Sequence, residues 1–212
     1  WRQIAGKGLV INIGVLELQG GYALHHNLLS SIGINSIPVK STSDLAQSDG
    51  LIIPGGESTT LSLLMTKYKL RKPIIEFAKT NPVLGTCAGL IMMSKEIDDK
   101  RVNPLRLLNV IVNRNAYGRQ INSARNNIVF QFNSEKNIKL FSTFIRAPKI
   151  ISHGEDVSIL ARLQGYPVAV LSNNLLGLSF HPEIDGIDIF HKMMFKKSSK
   201  MYHEKHKSDY AA

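Results

Sequence analysis

The single cysteine of the chain, Cys87, lies in Gly85-Thr86-Cys87-Ala88-Gly89, between the apolar run Pro82-Val83-Leu84 and the helical pattern Leu90-Ile91-Met92-Met93. Strand, tight turn and helix in that order describe a nucleophile elbow. Small residues two before and two after the reactive side chain let the backbone turn sharply and hold that side chain out at the strand tip. The helix that follows offers N–H groups and the positive end of its dipole, a setting that favours a thiolate. Without its flanking glycines, Cys87 would read as an ordinary small buried side chain.

A base and its orienter follow from His181-Pro182-Glu183, at the end of the strand-like run Leu176 to Phe180. Residues two apart in an extended stretch point the same way. Glu183 can therefore orient His181 through a hydrogen bond, while the other imidazole nitrogen takes a proton from Cys87 and returns it to a leaving group. The remaining histidines, His25, His26, His153, His191, His203 and His206, have no comparable setting.

A third motif is Pro54-Gly55-Gly56-Glu57-Ser58-Thr59-Thr60. Paired glycines let a loop approach a ligand and present N–H groups to an oxyanion, with the Ser/Thr pair capping the next helix. It lacks the Gly-Lys-Ser/Thr ending of a phosphate-binding loop. On its residues alone it reads equally as a structural turn.

The elements that must position these motifs alternate between short β-branched runs and longer helical patterns, which predicts an α/β fold with a parallel sheet. Strands are expected at Val10 to Leu16, Asn35 to Val39, Asp49 to Pro54 and Pro82 to Leu84. Helices are expected at Gly21 to Ile32, with Ala23, Leu24, Leu28, Leu29 and Ile32 inward, at Ser58 to Lys69, with Leu61, Leu64, Met65 and Tyr68 inward, and at Leu70 to Lys79. Beyond about residue 105 the runs Leu107 to Asn113, Ile128 to Phe132, Thr143 to Arg146, Ser158 to Leu163, Pro167 to Leu171 and Leu176 to Phe180 are strand-like and predict a largely antiparallel second half. In an open α/β sheet, ligands sit at the strand ends, where the three motifs fall.

With 212 residues and 43% hydrophobic content, one domain is expected. Its span is 9–197, with 1–8 a disordered leader and 198–212 a basic tail. One cysteine allows no internal disulfide, and no continuous apolar stretch is long enough for a membrane span, so the expected location is cytoplasmic. The formal charge of +10 is concentrated at one end, where Lys192 to Lys207 holds six lysines against Glu204. No zinc-finger or helix-turn-helix spacing accompanies it, so nucleic acid is not the expected partner.

Six stretches in order carry a resemblance: Ile13-Gly14-Val15-Leu16 with Leu18-Gln19-Gly20, Pro54 to Thr60, Gly85 to Leu90, Asn113 to Gln120, Ile145-Arg146-Ala147-Pro148 and Phe180 to Glu183. In these the chain resembles the glutaminase subunits of pyridoxal 5′-phosphate synthases, within the class I glutamine amidotransferases. The cysteine elbow and His-Pro-Glu belong to the wider superfamily, whereas Leu-Gln-Gly, Arg-Asn-x-x-Gly-x-Gln and Arg-Ala-Pro resemble this branch.

The resemblance implies a three-layer, flavodoxin-like fold, its mixed, mostly parallel sheet covered by helices on both faces. It implies hydrolysis of L-glutamine to glutamate and ammonia through a thioester on Cys87, with His181 and Glu183 completing the triad. Oxyanion donors would come from Gly55, Gly56 and Ala88, with Gln19 beside them. Gly56, Glu57, Ser58, Arg114, Ile145 and Arg146 would hold the substrate. Two arginines suit an α-carboxylate, although on sequence alone each reads as a surface ion pair. The implied partner is the synthase subunit, a ring-forming barrel enzyme that receives the ammonia. No cofactor or metal is expected on this chain.

Departures from the pattern fall at Asn122-Ser123-Ala124, where an Asp-Ser-Phe-like segment is usual, at Arg106, where glycine is common, and in the lysine-rich end beyond Phe195. Three other readings predict different features. A glutaminase of another synthase, such as the imidazole glycerol phosphate type, would lack Arg-Ala-Pro, and a silent regulatory module would lack a triad member. A cysteine hydrolase of peptides or γ-glutamyl chains would not respond to a synthase subunit.

Overall fold

A computed structural model describes residues 11–114, 123–131 and 137–196. In chain order the first half gives β1 (Asn12–Leu16), α1 (Tyr22–Ser31), β2 (Asn35–Val39), α2 (Thr42–Ala46), β3 (Gly50–Ile53), α3 (Ser58–Lys67), α4 (Arg71–Ala78), β4 (Val83–Thr86) and α5 (Ala88–Met93). The second half gives β5 (Ser94–Ile97), β6 (Leu108–Asn113), β7 (Ser123–Gln131), β8 (Asn137–Ile145), β9 (Lys149–His153), β10 (Ser158–Leu163), β11 (Tyr166–Ser172), β12 (Leu175–Leu178) and α6 (Ile189–Phe195).

Nine strands form one sheet in the order β2-β1-β3-β4-β12-β11-β10-β7-β8. Its first five strands run parallel, and from β12 onward each neighbour is antiparallel. A smaller sheet, β5-β6-β9, lies apart. Alternation along the central strands divides the interior in two. Leu51 and Ile53 of β3 join a core with α2 to α5 and β6, whereas Ile52 joins a second core with Leu29 of α1 and Phe190 of α6. Strands apolar on both faces require helices on both faces, which gives three layers.

Parallel order fixes where the chemistry goes. Because β1, β3, β4 and β12 point the same way, the chain leaving each emerges at one edge of the sheet. Gln19, Gly55-Gly56, Cys87 and His181 follow those four strand ends.

The inward face of α1 differs from expectation. Ala23 and Leu24 face outward, and His25, Leu28 and Leu29 form the buried stripe at helical spacing. Tyr68 follows the last residue of α3 and is exposed, leaving Leu61 and Met65 to pack inward. Helices α2 and α6 and strands β5 and β9 go beyond the expected elements. The α2 start carries a readable signal, since Ser41 and Asp44 cap it reciprocally. Arg106 sits at φ +60°, a conformation that costs a side-chain-bearing residue about 1–2 kcal/mol, which accounts for glycine being common there. No helix among the described residues is long and apolar enough to cross a membrane. The leader, the Asn115–Asn122 stretch and the basic tail lie outside the described residues.

Candidate active site

Cys87 occupies the turn between β4 and α5 with φ 48° and ψ −102°, a strained conformation for any residue but glycine. The elbow is hooked to β12 by the Cys87 N–H, which donates to the Leu178 carbonyl at 2.8 Å. Gly89 is demanded by close packing, because a Cβ there would overlap the Ile53 carbonyl at the end of β3. The sulfur is nearly buried and its S–H faces the Ile145 carbonyl at 3.7 Å.

His181 and Glu183 meet, but in a turn and not in a strand. The last strand ends at Leu178, and after a single bridge between His181 and Thr143 the chain curls through residues 182–186. Pro182, which has no N–H to continue a ladder, begins that curl. Asp185 pins the turn onto β8 by accepting from the Thr143 N–H at 2.6 Å and the Thr143 hydroxyl at 2.9 Å. His181 Nδ1 then lies 2.7 Å from Glu183 Oε1, both side chains nearly buried. Burial alone would lower the His181 imidazole, but its bonds to Cys87 and Glu183 outweigh that and raise it to about 10. With Nδ1 on Glu183, Nε2 is the nitrogen left for Cys87.

The Pro54–Thr60 loop supplies the opposite wall. Gly55 donates to Thr86 Oγ1 at 3.1 Å and accepts from the Gly21 N–H at 2.9 Å. A Cβ on Gly55 would overlap the His181 ring. Gln19 grips Glu57 from below, accepting its N–H and donating to its carbonyl, each at 3.1 Å. Among the described residues, the Gly56 and Ala88 N–H groups have no acceptor within the chain.

The helix cap corrects the sequence reading. Glu57, not the Ser/Thr pair, is the N-cap of α3, accepting from the Thr60 N–H at 2.7 Å and the Thr59 N–H at 3.2 Å. A carboxylate there serves two N–H groups at once and meets the positive helix end. Partial burial would raise its pKa, but the Thr59 and Thr60 donors lower it to about 2.

These walls enclose an open cavity of about 340 Å³. Cys87, His181 and Glu183 line it, as do Gly55, Gly56, Glu57, Ser58, Arg114, Ile145 and Arg146. Gln19 and Ala88 stand behind the lining. Ser58 Oγ is buried with no partner among the described residues. Arg114 is held, not free: its guanidinium pairs with Glu57 and donates to Asp99 at 2.9 Å and to Thr59 Oγ1 at 2.8 Å. Arg146 is exposed at φ 43°.

Sequence reasoning missed several participants. Arg101 lines the rim and pairs with Asp99, neither of which stood in any motif. Two histidines read as having no comparable setting, His25 and His191, are buried behind Glu183. A signal for His25 existed, since 25, 28, 29 and 32 keep a helical period that Ala23 and Leu24 break. Among the described residues no group of three or more His, Cys, Asp or Glu side chains is placed to hold a metal ion.

A mixed α/β sheet with a strained cysteine elbow, faced by a histidine–glutamate pair across a small cavity, is the arrangement of the glutamine amidotransferases. A solved structure described as a glutamine amidotransferase superposes with TM-score 0.81 at 35% identity, covering 87% of this chain and 97% of that one. The chain belongs to the SNO glutamine amidotransferase family, whose model matches residues 15–200. Among its curated relatives is the pyridoxal 5′-phosphate synthase subunit PdxT of Thermoplasma volcanium, 45% identical over 183 residues that cover 83% of this chain and 89% of that protein. The PdxT of Bacillus pumilus is 44% identical over 181 residues, covering 82% and 88%. The PurLQS structure from Thermotoga maritima, at 17% identity and TM-score 0.66, shares the fold alone.

Proposed function

We propose that this chain is the glutaminase subunit of a pyridoxal 5′-phosphate synthase, hydrolysing L-glutamine and passing ammonia to a ring-shaped synthase partner. The observation that carries the reaction is the buried 2.7 Å contact of Glu183 with His181, placed beside a cysteine elbow that opens into an amino-acid-sized cavity. The names of the relatives support the partner and the pathway.

In the mechanism this supports, His181 takes the Cys87 proton and the thiolate attacks the side-chain amide carbon of glutamine. The oxyanion is met by the N–H groups of Gly56 and Ala88. When the C–N bond breaks, His181 gives its proton to the leaving ammonia and a glutamyl thioester remains. Water, deprotonated by His181, then attacks the thioester, and glutamate leaves as the proton returns to sulfur. Glu57, Arg114 and Arg146 line the cavity with both signs of charge, which suits the α-ammonium and α-carboxylate of an amino acid. The chain itself needs no cofactor for these steps.

The test is glutamate release from L-glutamine, with and without the synthase subunit, using Cys87→Ala as blank. Release that rises with the synthase and disappears in the variant is expected. A wild type no better than Cys87→Ala, with a synthase shown to bind, overturns the reading.

A further inference from the structure

The bond to His181 leaves Glu183 with a second oxygen. Oε2 is buried and has no hydrogen-bond partner among the described residues. The group facing it is His25 Nε2, at 3.7 Å. His25 is fully buried on α1, and behind it His191 of α6 brings its Nε2 to 2.9 Å from His25 Nδ1. His25 Nε2 also lies 3.3 Å from Thr86 Oγ1, the hydroxyl that takes the Gly55 N–H. One line of side chains therefore runs from Cys87 through His181, Glu183 and His25 to His191.

Proton positions along this line follow from cost. A buried carboxylate oxygen without a donor is more expensive than a bare imidazole nitrogen. His25 therefore carries its proton on Nε2, toward Glu183, and its Nδ1 accepts from His191 Nε2–H. The orphan that remains is the lone pair of His191 Nδ1. Both rings are neutral: burial and the neighbouring His191, His181 and His26 push His25 well down, and burial holds His191 at about 4 against the pull of Asp188.

We propose that His25 is a positioning residue of the Cys87 site, its Nε2–H facing Glu183 Oε2 and keeping the carboxylate turned so that Oε1 holds the His181 ring toward the sulfur. His191 fixes the tautomer of His25. His25 touches neither sulfur nor substrate and acts only through Glu183, which His181 and His25 face from opposite sides. The inference rests on the triad reading above, and its test separates the two.

Cys87 is the only cysteine of the chain, so alkylation by iodoacetamide reports that sulfur alone. Rates are compared across pH for wild type, His25→Leu, His25→Gln and His25→Asn, each first checked for a wild-type-like thermal melt. Without the His25 donor, Glu183 Oε2 loses the side chain that faces it, the carboxylate can turn, and Oε1 no longer fixes the His181 ring beside the sulfur. Losing the one donor that faces this buried carboxylate oxygen should slow alkylation of His25→Leu near neutral pH about tenfold. Gln, whose amide reaches the place of Nε2, should recover to within about threefold, and Asn, which reaches only that of Nδ1, should not. Glutamate release should follow the same order in kcat, with KM for glutamine within about twofold.

Wild-type alkylation in His25→Leu, or a Gln variant as slow as Leu, overturns the proposal. If His25→Leu does not fold, Asn against Gln decides in the same way. If alkylation follows the expected order while no form of the protein, wild type included, releases glutamate with synthase bound, the glutaminase reading fails and the positioning role stands.

Discussion

The floor and the rim of the cavity hold charge by different means. On the floor, His181, Glu183, His25 and His191 are nearly or fully buried, and the Nδ1 atoms of His181 and His25 each rest on one neighbouring side chain. At the rim, Glu57, Arg114, Asp99 and Arg101 form a chain of ion pairs that runs out to solvent at Arg101, and its two middle members, Arg114 and Asp99, each have more than one partner. Buried pairs respond steeply to the loss of one member, whereas exposed pairs are screened and partly interchangeable. Chemistry should therefore depend on the floor and substrate affinity on the rim.

The largest effect should come from removing slack the floor does not have. In Gly55→Ala the new Cβ overlaps the His181 ring, and shifting a catalytic group by about 1 Å costs about 100-fold in rate. Glutamate release with the synthase partner should fall by that amount while the melting temperature moves little. A loss below about threefold would mean that the floor yields, and the contrast with the rim would collapse.

Next in size is pH-dependent stability, where the two regions answer in different windows. His181 is raised to about 10 from 6.5, so the fold favours its imidazolium; that contribution is full below 6.5 and fades as pH rises toward 10. His191 is lowered to about 4, so the fold favours its neutral ring; that contribution is full above 6.5 and fades as pH falls toward 4. Glu57, lowered to about 2, adds stability above 4.5 that is lost only as pH falls toward 2. Urea unfolding at about 0.1 and about 1 M salt should leave the two histidine arms in place and shrink the Glu57 arm. Salt erasing the histidine arms would place those charges in solvent.

Legibility follows the same division, for physical reasons. The elbow and His181 with Glu183 could be read because strand-end chemistry needs particular residues at fixed spacing, whereas the glycine loop, equally a structural turn on its residues, took its role from the resemblance; β1, β3, β4 and β12 bring them together. At the rim Arg114 joins Thr59 of α3 to Asp99, and such contacts depend on the smaller sheet, which leaves no local pattern. Glu57 was mistaken for a substrate group alone because Ser and Thr are the commoner caps. His25 and His191 escaped because a polar residue on an apolar stripe announces burial but not its partner, and α6 lies 166 residues from His25.

The smallest effects should come from the rim, and they should be graded by exposure. Arg114 is mostly covered and joins Glu57, Asp99 and Thr59, so Arg114→Ala should raise KM for glutamine about tenfold and leave kcat within about threefold. Arg101 is 71% exposed and pairs with Asp99 alone among the described residues, so Arg101→Ala should change KM by less than about threefold, the scale of a surface ion pair. Asp99 retains Arg114 in that variant, which is why the rim can lose a member and keep its shape. Steady-state glutamate release gives both parameters. If Arg101→Ala lowers kcat as far as Gly55→Ala, the rim takes part in the chemistry and the division between affinity and rate does not hold.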